Sequence, residues 1–406
     1  MKKVFCVVLI FLGFLFLCFC SKKQNDTRVV LKFSSWGSQS EIKFFVPLID
    51  EFEKQNPDIK VEFLHIPQNY FQKLHLLFAS NLSPDVIFIN NYYLPKYVSA
   101  NLLDDLTFII NKDDYFEKAV NALSINSKVY AVPRDVSNFV VYYNKNLFKK
   151  YNIPFPNKNW SLNDYLEIAK TFKDKDVWGT SLETDFLFLL PYLYSNGASL
   201  FDDVGQNLVI DSKDSIATLQ FCSDLVNKHK VAPSKTDSAS LTMAQLFLQE
   251  KVAMHVSGRW LVPKYRSEAK FDWDVVEFPR GKLGSIVNVD ASGYALSSMS
   301  KHKNEAIRFI KYISSQKSLE ILTKNGLIVP ARKDVAYSRI FLDANQKPQN
   351  AKVFITAIET GKNTIVNKNY QKVVDVLNKV LEPVFLGKRN AEDVFTSDVL
   401  NNLVNP

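Results

Sequence analysis

The stretch Val86–Asn90, VIFIN, is apolar at four consecutive positions. A strand with one face in water alternates apolar and polar residues, whereas a continuous run needs cover on both faces. What precedes it supplies that cover. Thr27–Ser34 reads as a strand. Glu41–Gln55 reads as a helix whose Phe44, Phe45, Leu48, Ile49 and Phe52 share one face. Asn56-Pro57 stops it, and Ile59–His65 alternates as a second strand. Phe71–Ser80 reads as a short helix. Strand, helix, strand, helix, strand within 90 residues predicts an α/β lobe built on a largely parallel sheet.

The pattern continues beyond it. Phe139–Tyr143 reads as a strand that turns into a helix at Asn144–Phe148. Tyr142 and Tyr143 alternate along that strand and face opposite sides, one packed and one hydrogen-bonded. Ser161 caps a helix with Asp164 as capping-box partner. Helices follow at 186–194, 212–229 and 242–249. KVAMHV and FDWDVVEFP carry strand character, and Ala291–Ser297 leads into a helix at 304–314. After Pro330 the chain reads as mostly helical, ending in 370–386 and 391–403. The 406 residues exceed one typical core, which predicts two domains. No Gly/Ser/Pro tether separates them, so strand crossovers are expected to join them. Only 12 glycines are present, so each is expected where φ is positive or backbones approach closely.

The N-terminus sets the compartment. Lys2 and Lys3 precede an apolar run from Val4 to Cys20, and Ser21 begins a polar spacer. This is the layout of an export signal. Cys20 has Leu17 at −3, as a lipoprotein signal requires, although Cys18 and Phe19 fill the two positions usually small. Lipid attachment at Cys20 is the expectation, with an uncleaved membrane anchor or a free secreted product as alternatives. All three place the rest of the chain outside the cytoplasmic membrane. Cys222 is then the one cysteine of the mature chain and reads as a small buried hydrophobe. The net charge of +8 comes from scattered lysines with no Arg-rich run, so no nucleic-acid partner is expected.

Six stretches carry a resemblance. They are SPDVIFINNYYLPKYVSANLLDDL, PRDVSNFVVYYNKNLFKK, LFLQEKVAMHVSGRW, FDWDVVEFPRGKLGS, SGYALSSMSKHKNEAIRFIKYISS and NGLIVPARKDV, in that order along the chain. Together they resemble the family 1 extracellular solute-binding proteins, receptors of bacterial ABC importers for sugars and related solutes. Two departures stand out: Arg134 replaces a usually apolar residue, and Glu250 replaces a usual glycine. The resemblance implies an α/β, two-lobe, type II periplasmic-binding-protein fold with a ligand cleft and a hinge. It implies a signal at 1–20, a tether at 21–27, lobe one at 28–135 and 288–335, and lobe two at 136–287 and 336–406. It implies a monomeric receptor, without cofactor or metal, that delivers a carbohydrate to ABC permease subunits.

A sugar offers apolar C–H faces and a rim of hydroxyls, so its receptor needs aromatic platforms and planar hydrogen-bonding groups. Trp36 follows the first strand, where the crevice of a parallel sheet lies. The resemblance places Trp260 toward the cleft. Trp160, Trp178 and Trp273 read as core or lobe surface. Polar candidates are Asn90, Asn91 and Tyr92 after VIFI, Asp135 and Ser137 at the crossover, Ser38 and Glu41, Asn196, Ser292-Gly293-Tyr294, and Arg332. Ser38 and Glu41 serve equally as helix-cap residues. Three alternatives stay open. Paired tyrosines at 92–93 and 142–143 suit ferric iron. Arg134, Arg259 and Arg332 suit a glycerol-phosphate-type solute. A secreted carbohydrate-active enzyme needs two carboxylates across a cleft, but G-x-S-x-G, H-E-x-x-H and P-loop motifs are absent.

Overall fold

The computed structural model describes residues 27–37 and 39–404. The signal, Cys20, most of the tether and Ser38 lie outside the described residues. Eleven strands build the two main sheets. They are β1 (Val29–Ser35), β2 (Ile59–His65), β3 (Val86–Asn90), β4 (Val132–Ser137), β5 (Val140–Asn144), β6 (Trp178–Thr180), β7 (Val252–Ser257), β8 (Trp273–Val276), β9 (Asn288–Leu296), β10 (Val329–Pro330) and β11 (Lys362–Asn363).

The first sheet runs β10-β4-β9-β3-β1-β2, with β11 beside β9. β1 pairs parallel with β2 and β3, as VIFIN required, while β9 runs antiparallel to β3 and β4. Leu31, Phe33, Val86, Ile87, Phe88 and Ile89 are all buried. Helices Gln39–Gln55 and Lys303–Ile313 cover this sheet, and Phe52 and Phe309 meet edge to face at 5.0 Å.

The second sheet runs β8-β5-β7-β6. β5 is antiparallel to β7 and β8, and β6 is parallel to β7. Tyr142 and Tyr143 divide as the alternation predicts. Tyr142 packs with Tyr265 and Trp273, and Tyr143 packs with Phe148 and Phe155 on the other side. Helices Phe186–Ser195, Lys213–Asn227 and Tyr370–Phe385 close the Tyr143 side, with Cys222 fully buried among them. The capping box of Ser161 and Asp164 forms.

Asn138 and Phe139 alone carry the chain from β4 to β5, and residues 277–287 return it from β8 to β9. The two sheets are therefore joined by crossovers, the architecture of a two-lobe fold. Two expectations change. The terminal helix spans Ser397–Val404, because Phe395 leaves helical backbone (φ −91°, ψ 62°) after a short turn at Glu392–Val394. A two-residue ladder, Ser124–Ile125 with Lys128–Val129, was not evident in the sequence.

Candidate functional site

In sheets of parallel strands, ligands bind beyond the carboxyl ends. Here β1 is followed by Trp36, β3 ends at Asn90 and is followed by Asn91 and Tyr92, β6 is followed by Ser181–Asp185 and β7 by Gly258–Trp260. The parallel pairing of β6 and β7 puts the last two segments at one end of the second sheet. The amino end of β5, with Phe139, reaches the same end because Val140 pairs with Ser257.

Trp36 is half-buried. Its ring lies 4.2 Å from Phe88, 5.2 Å from Tyr70 and 5.5 Å from Phe71. Gly37 follows with φ +135°, and a Cβ there would fall 2.3 Å from Glu41 Oε2. The positive φ favours glycine, whereas the Glu41 carboxylate could swing aside. Glu41 thus lies over the turn after β1, and the His65 imidazole shares a hydrogen bond with the Gly37 carbonyl at 2.8 Å.

Trp260 is 36% exposed, the most open of the tryptophans. Phe139 holds its ring edge to face at 5.5 Å and meets Phe188 at 5.3 Å. A Cβ on Gly258 would fall 1.8 Å from the Trp260 ring, so the indole lies on the backbone at Gly258. The Tyr142 phenol donates to the Gly258 carbonyl at 2.8 Å and fixes that backbone from below.

The residues after β3 divide. Asn90 is half-buried, and its side chain accepts from Tyr93 N–H at 3.3 Å. Asn91 is fully buried and donates to Asp290 Oδ1 at 2.8 Å. Tyr92 donates to Asp290 Oδ2 at 2.5 Å and stacks on Tyr370. Ser137 is half-buried and faces Asp290 across the β4–β9 pairing.

Other expected contacts are engaged within the protein. Asp135 is buried in an ion pair with Arg134, whose guanidinium lies 3.9 Å from the Phe88 ring. Tyr294 is fully buried among Phe33 and Phe88, which puts it in the core of the first sheet and not at the cleft. Gly293 sits at a break in the β4–β9 register, where a Cβ would meet the Val132 carbonyl at 2.3 Å. It serves strand packing. Asn196 donates to the Thr218 hydroxyl and accepts from Lys282 N–H, both at 3.2 Å, and so ties a loop. Arg332 is held by Asp334 at 2.6 Å and Asp114 at 3.3 Å, and Asp334 above all raises its pKa. Trp160 and Trp273 are core residues.

One group escaped the sequence reading. A cavity of about 490 Å³ opens beyond β6, lined by Leu182, Glu183, Asp185, Met243, Asn378 and Phe385. Burial, then the nearby charge of Asp185, raises the pKa of Glu183. Nothing in SLETDF marks Glu183, because most of its neighbours in the cavity come from about 40 to 200 residues further along the chain. Among the described residues no three His, Cys, Asp or Glu side chains come together to hold a metal ion.

The chain matches the family model described as bacterial extracellular solute-binding protein over residues 22–320. The multiple sugar-binding protein of Streptococcus mutans is 22% identical over 94% of this chain and 98% of its own. A putative binding protein of Brucella abortus is 22% identical over 86% of this chain and 87% of its own. Among solved structures, an ABC substrate-binding protein of Listeria monocytogenes in complex with cycloalternan is 27% identical. It superposes with a TM-score of 0.86 over 93% of this chain and 98% of its own. The GacH receptor of Streptomyces glaucescens, solved unliganded and with acarbose, gives a TM-score of 0.82 at 22% identity, covering 93% of this chain and 97% of its own. With the strand-end site and the two-sheet architecture already in place, the match over most of its length means that the chain belongs to the bacterial extracellular solute-binding protein family.

Proposed function

We propose that this chain is the solute receptor of an ABC importer, that its solute is a carbohydrate, and that it hands the solute to a membrane permease. The observation that carries this reading is the pair Trp36 and Trp260. Each stands at the carboxyl end of a strand in a different sheet, with part of its ring uncovered. Aromatic platforms of this kind suit the C–H faces of sugar rings. The relatives that bind sugars, and the structure with cycloalternan, support the same class.

Charge favours a neutral solute. A phosphate group calls for an unpaired guanidinium at the cleft. Arg134 and Arg332 are committed to carboxylates, and Arg259, which pairs with no carboxylate among the described residues, is 3% exposed, donates from Nε to the Ile328 carbonyl at 2.9 Å and packs on the Phe341 ring at 4.3 Å. Tyr142 and Tyr143 lie in opposite cores, so that pair does not converge on one ion. An extracellular family supports a site of action outside the cytoplasmic membrane, with Cys20 as the lipid-bearing residue.

A thermal-shift screen of mono- and oligosaccharides, polyols and glycerol phosphates tests the reading. A carbohydrate is expected to raise Tm. If no compound does so, and mass spectrometry finds no solute co-purified with the protein, the receptor reading fails. Mass spectrometry of the native N-terminus tests lipid attachment at Cys20.

A further inference from the structure

Tyr92 stands where the two halves of the molecule meet. It follows β3 of the first sheet, yet its ring packs on the core of the second. Its partner is Tyr370, with ring centroids 5.2 Å apart and planes 16° from parallel. Tyr370 opens the helix Tyr370–Phe385, whose Val373, Leu377 and Val384 are buried with Val141 and Val256 of the second sheet. The stack therefore bridges the two bodies.

The phenol is not free to turn. It donates to Asp290 Oδ2 at 2.5 Å, and Asn288 Nδ2 donates to the same oxygen at 2.5 Å. Asn91 Nδ2 donates to Oδ1 at 2.8 Å. Asp290 is 3% exposed, and among the described residues no cation pairs with it. It lies two residues into β9, just after the chain returns from the second sheet. Across the pairing stands Ser137, just before the chain leaves for it. One buried carboxylate thus sits between both crossovers and orients Tyr92.

We propose that Tyr92 is an interlobe latch, oriented by Asp290 and closed by its stack on Tyr370. Two bodies joined by short crossovers move by hinge bending. When they turn about 137–140, 277–288 and 364–369, where the chain runs from β11 of the first sheet to the helix of the second body, the crossovers and Asp290 stay with the hinge while Tyr370 travels with the second body. The Tyr92–Tyr370 stack then resists opening, and its strength sets how much solute-free protein is compact. The consequence for solute binding rests on the receptor reading above; the latch itself does not.

Small-angle X-ray scattering of the solute-free protein tests it. Tyr92→Ala and Tyr370→Ala are each expected to raise the radius of gyration, and the double variant no further, since either change removes the same contact. Tyr92→Phe and Asp290→Ala keep the ring and remove the hydrogen bond that orients it, and smaller, mutually non-additive rises are expected. If an alanine variant fails to fold by circular dichroism, Tyr92→Phe and Tyr370→Leu carry the comparison. Radii unchanged from the parent across the folded variants, or fully additive shifts, overturn the latch. With a solute in hand, the opened variants are expected to bind it three- to tenfold more weakly. Shifted radii with no solute ever found leave the latch standing and sink the receptor reading; unchanged radii with normal binding do the reverse.

Discussion

The phenol of Tyr142 donates to the carbonyl of Gly258, 2.8 Å away and two residues before Trp260. A fully buried side chain of the second sheet thus sets the backbone on which a candidate sugar platform rests. Tyr142→Phe keeps the ring contacts with Tyr265 and Trp273 but leaves that carbonyl only the long bond from Leu261 N–H at 3.4 Å. A stability loss of about 1–2 kcal/mol is expected, with weaker solute binding. Chemical denaturation and calorimetric titration measure the two. Tyr143→Phe, on the other core, is expected to leave binding unchanged.

Gly258 tests the platform more directly. Its backbone is extended, so alanine is conformationally acceptable. The Cβ, however, would collide with the Trp260 ring. Gly258→Ala is expected to displace the indole, shift its fluorescence and weaken solute binding at least tenfold, with Tm little changed. Unaltered affinity would mean that Trp260 does not contact the solute.

The neighbours Arg134 and Asp135 form an ion pair inside the first sheet. Removing one partner of a buried pair leaves the other charge without compensation, at a cost of about 3–5 kcal/mol. Asp135→Asn is expected to destabilise by about that amount in urea unfolding. The double variant Arg134→Met/Asp135→Leu, which buries no charge, is expected to recover most of it.

His255 makes stability pH-dependent. It is buried in β7 beside the Ser181 hydroxyl at 2.9 Å, and burial lowers its pKa to about 3. Unfolded, the ring titrates near 6.5. Between those values the unfolded chain binds a proton that the folded protein does not. Its contribution is therefore complete above about pH 6.5 and is lost as pH falls toward 3, at up to about 1.4 kcal/mol per pH unit. Thermal melts at pH 7 and pH 5 are expected to differ more for the parent than for His255→Asn. Equal differences would rule out this role.

Glu250 occupies left-handed backbone at φ +58°, where the family usually has glycine. Its carboxylate accepts from Asn144 Nδ2 at 3.1 Å, partly offsetting the strain. Glu250→Gly is expected to stabilise by up to about 1 kcal/mol. Glu250→Ala keeps the strain, loses the hydrogen bond and is expected to destabilise slightly. Melting curves of both variants separate the two effects.

Period and punctuation made the fold readable. VIFIN, the Phe44–Phe52 stripe and the Ser161 cap each follow from local chemistry, and each forms as expected. The ladder at 124–129 was hidden because its turn uses Asn126 and Ser127, both with positive φ, where Asn-Gly would have announced it. The chain repeats this habit: Asn69, Asn81, Asn101, Asn152 and Asn159 also take left-handed backbone that glycine would ordinarily fill. The site was less legible. A strand end pointed to Trp36 and the resemblance pointed to Trp260. Asp135 and Arg332 pair with near neighbours, Arg134 and Asp334, but the burial that commits the first pair is set by the sheet, and the partner of Asn91 is brought by the fold from far along the chain. No periodicity reports that for Asp290, 199 residues from Asn91.

The place of β9 has a bearing on biosynthesis. This strand lies between β3 and β4, so residues 288–296 fill a gap left by segments made some 150 to 200 residues earlier. Until they emerge from the ribosome, the first sheet is a three-stranded piece, β3-β1-β2, and a lone β4 with no neighbour. Contacts so distant in sequence also slow folding. A polypeptide bound for export must stay threadable until it meets the translocation machinery, and this strand order leaves the gap in its first sheet open until nearly three-quarters of it has been synthesised.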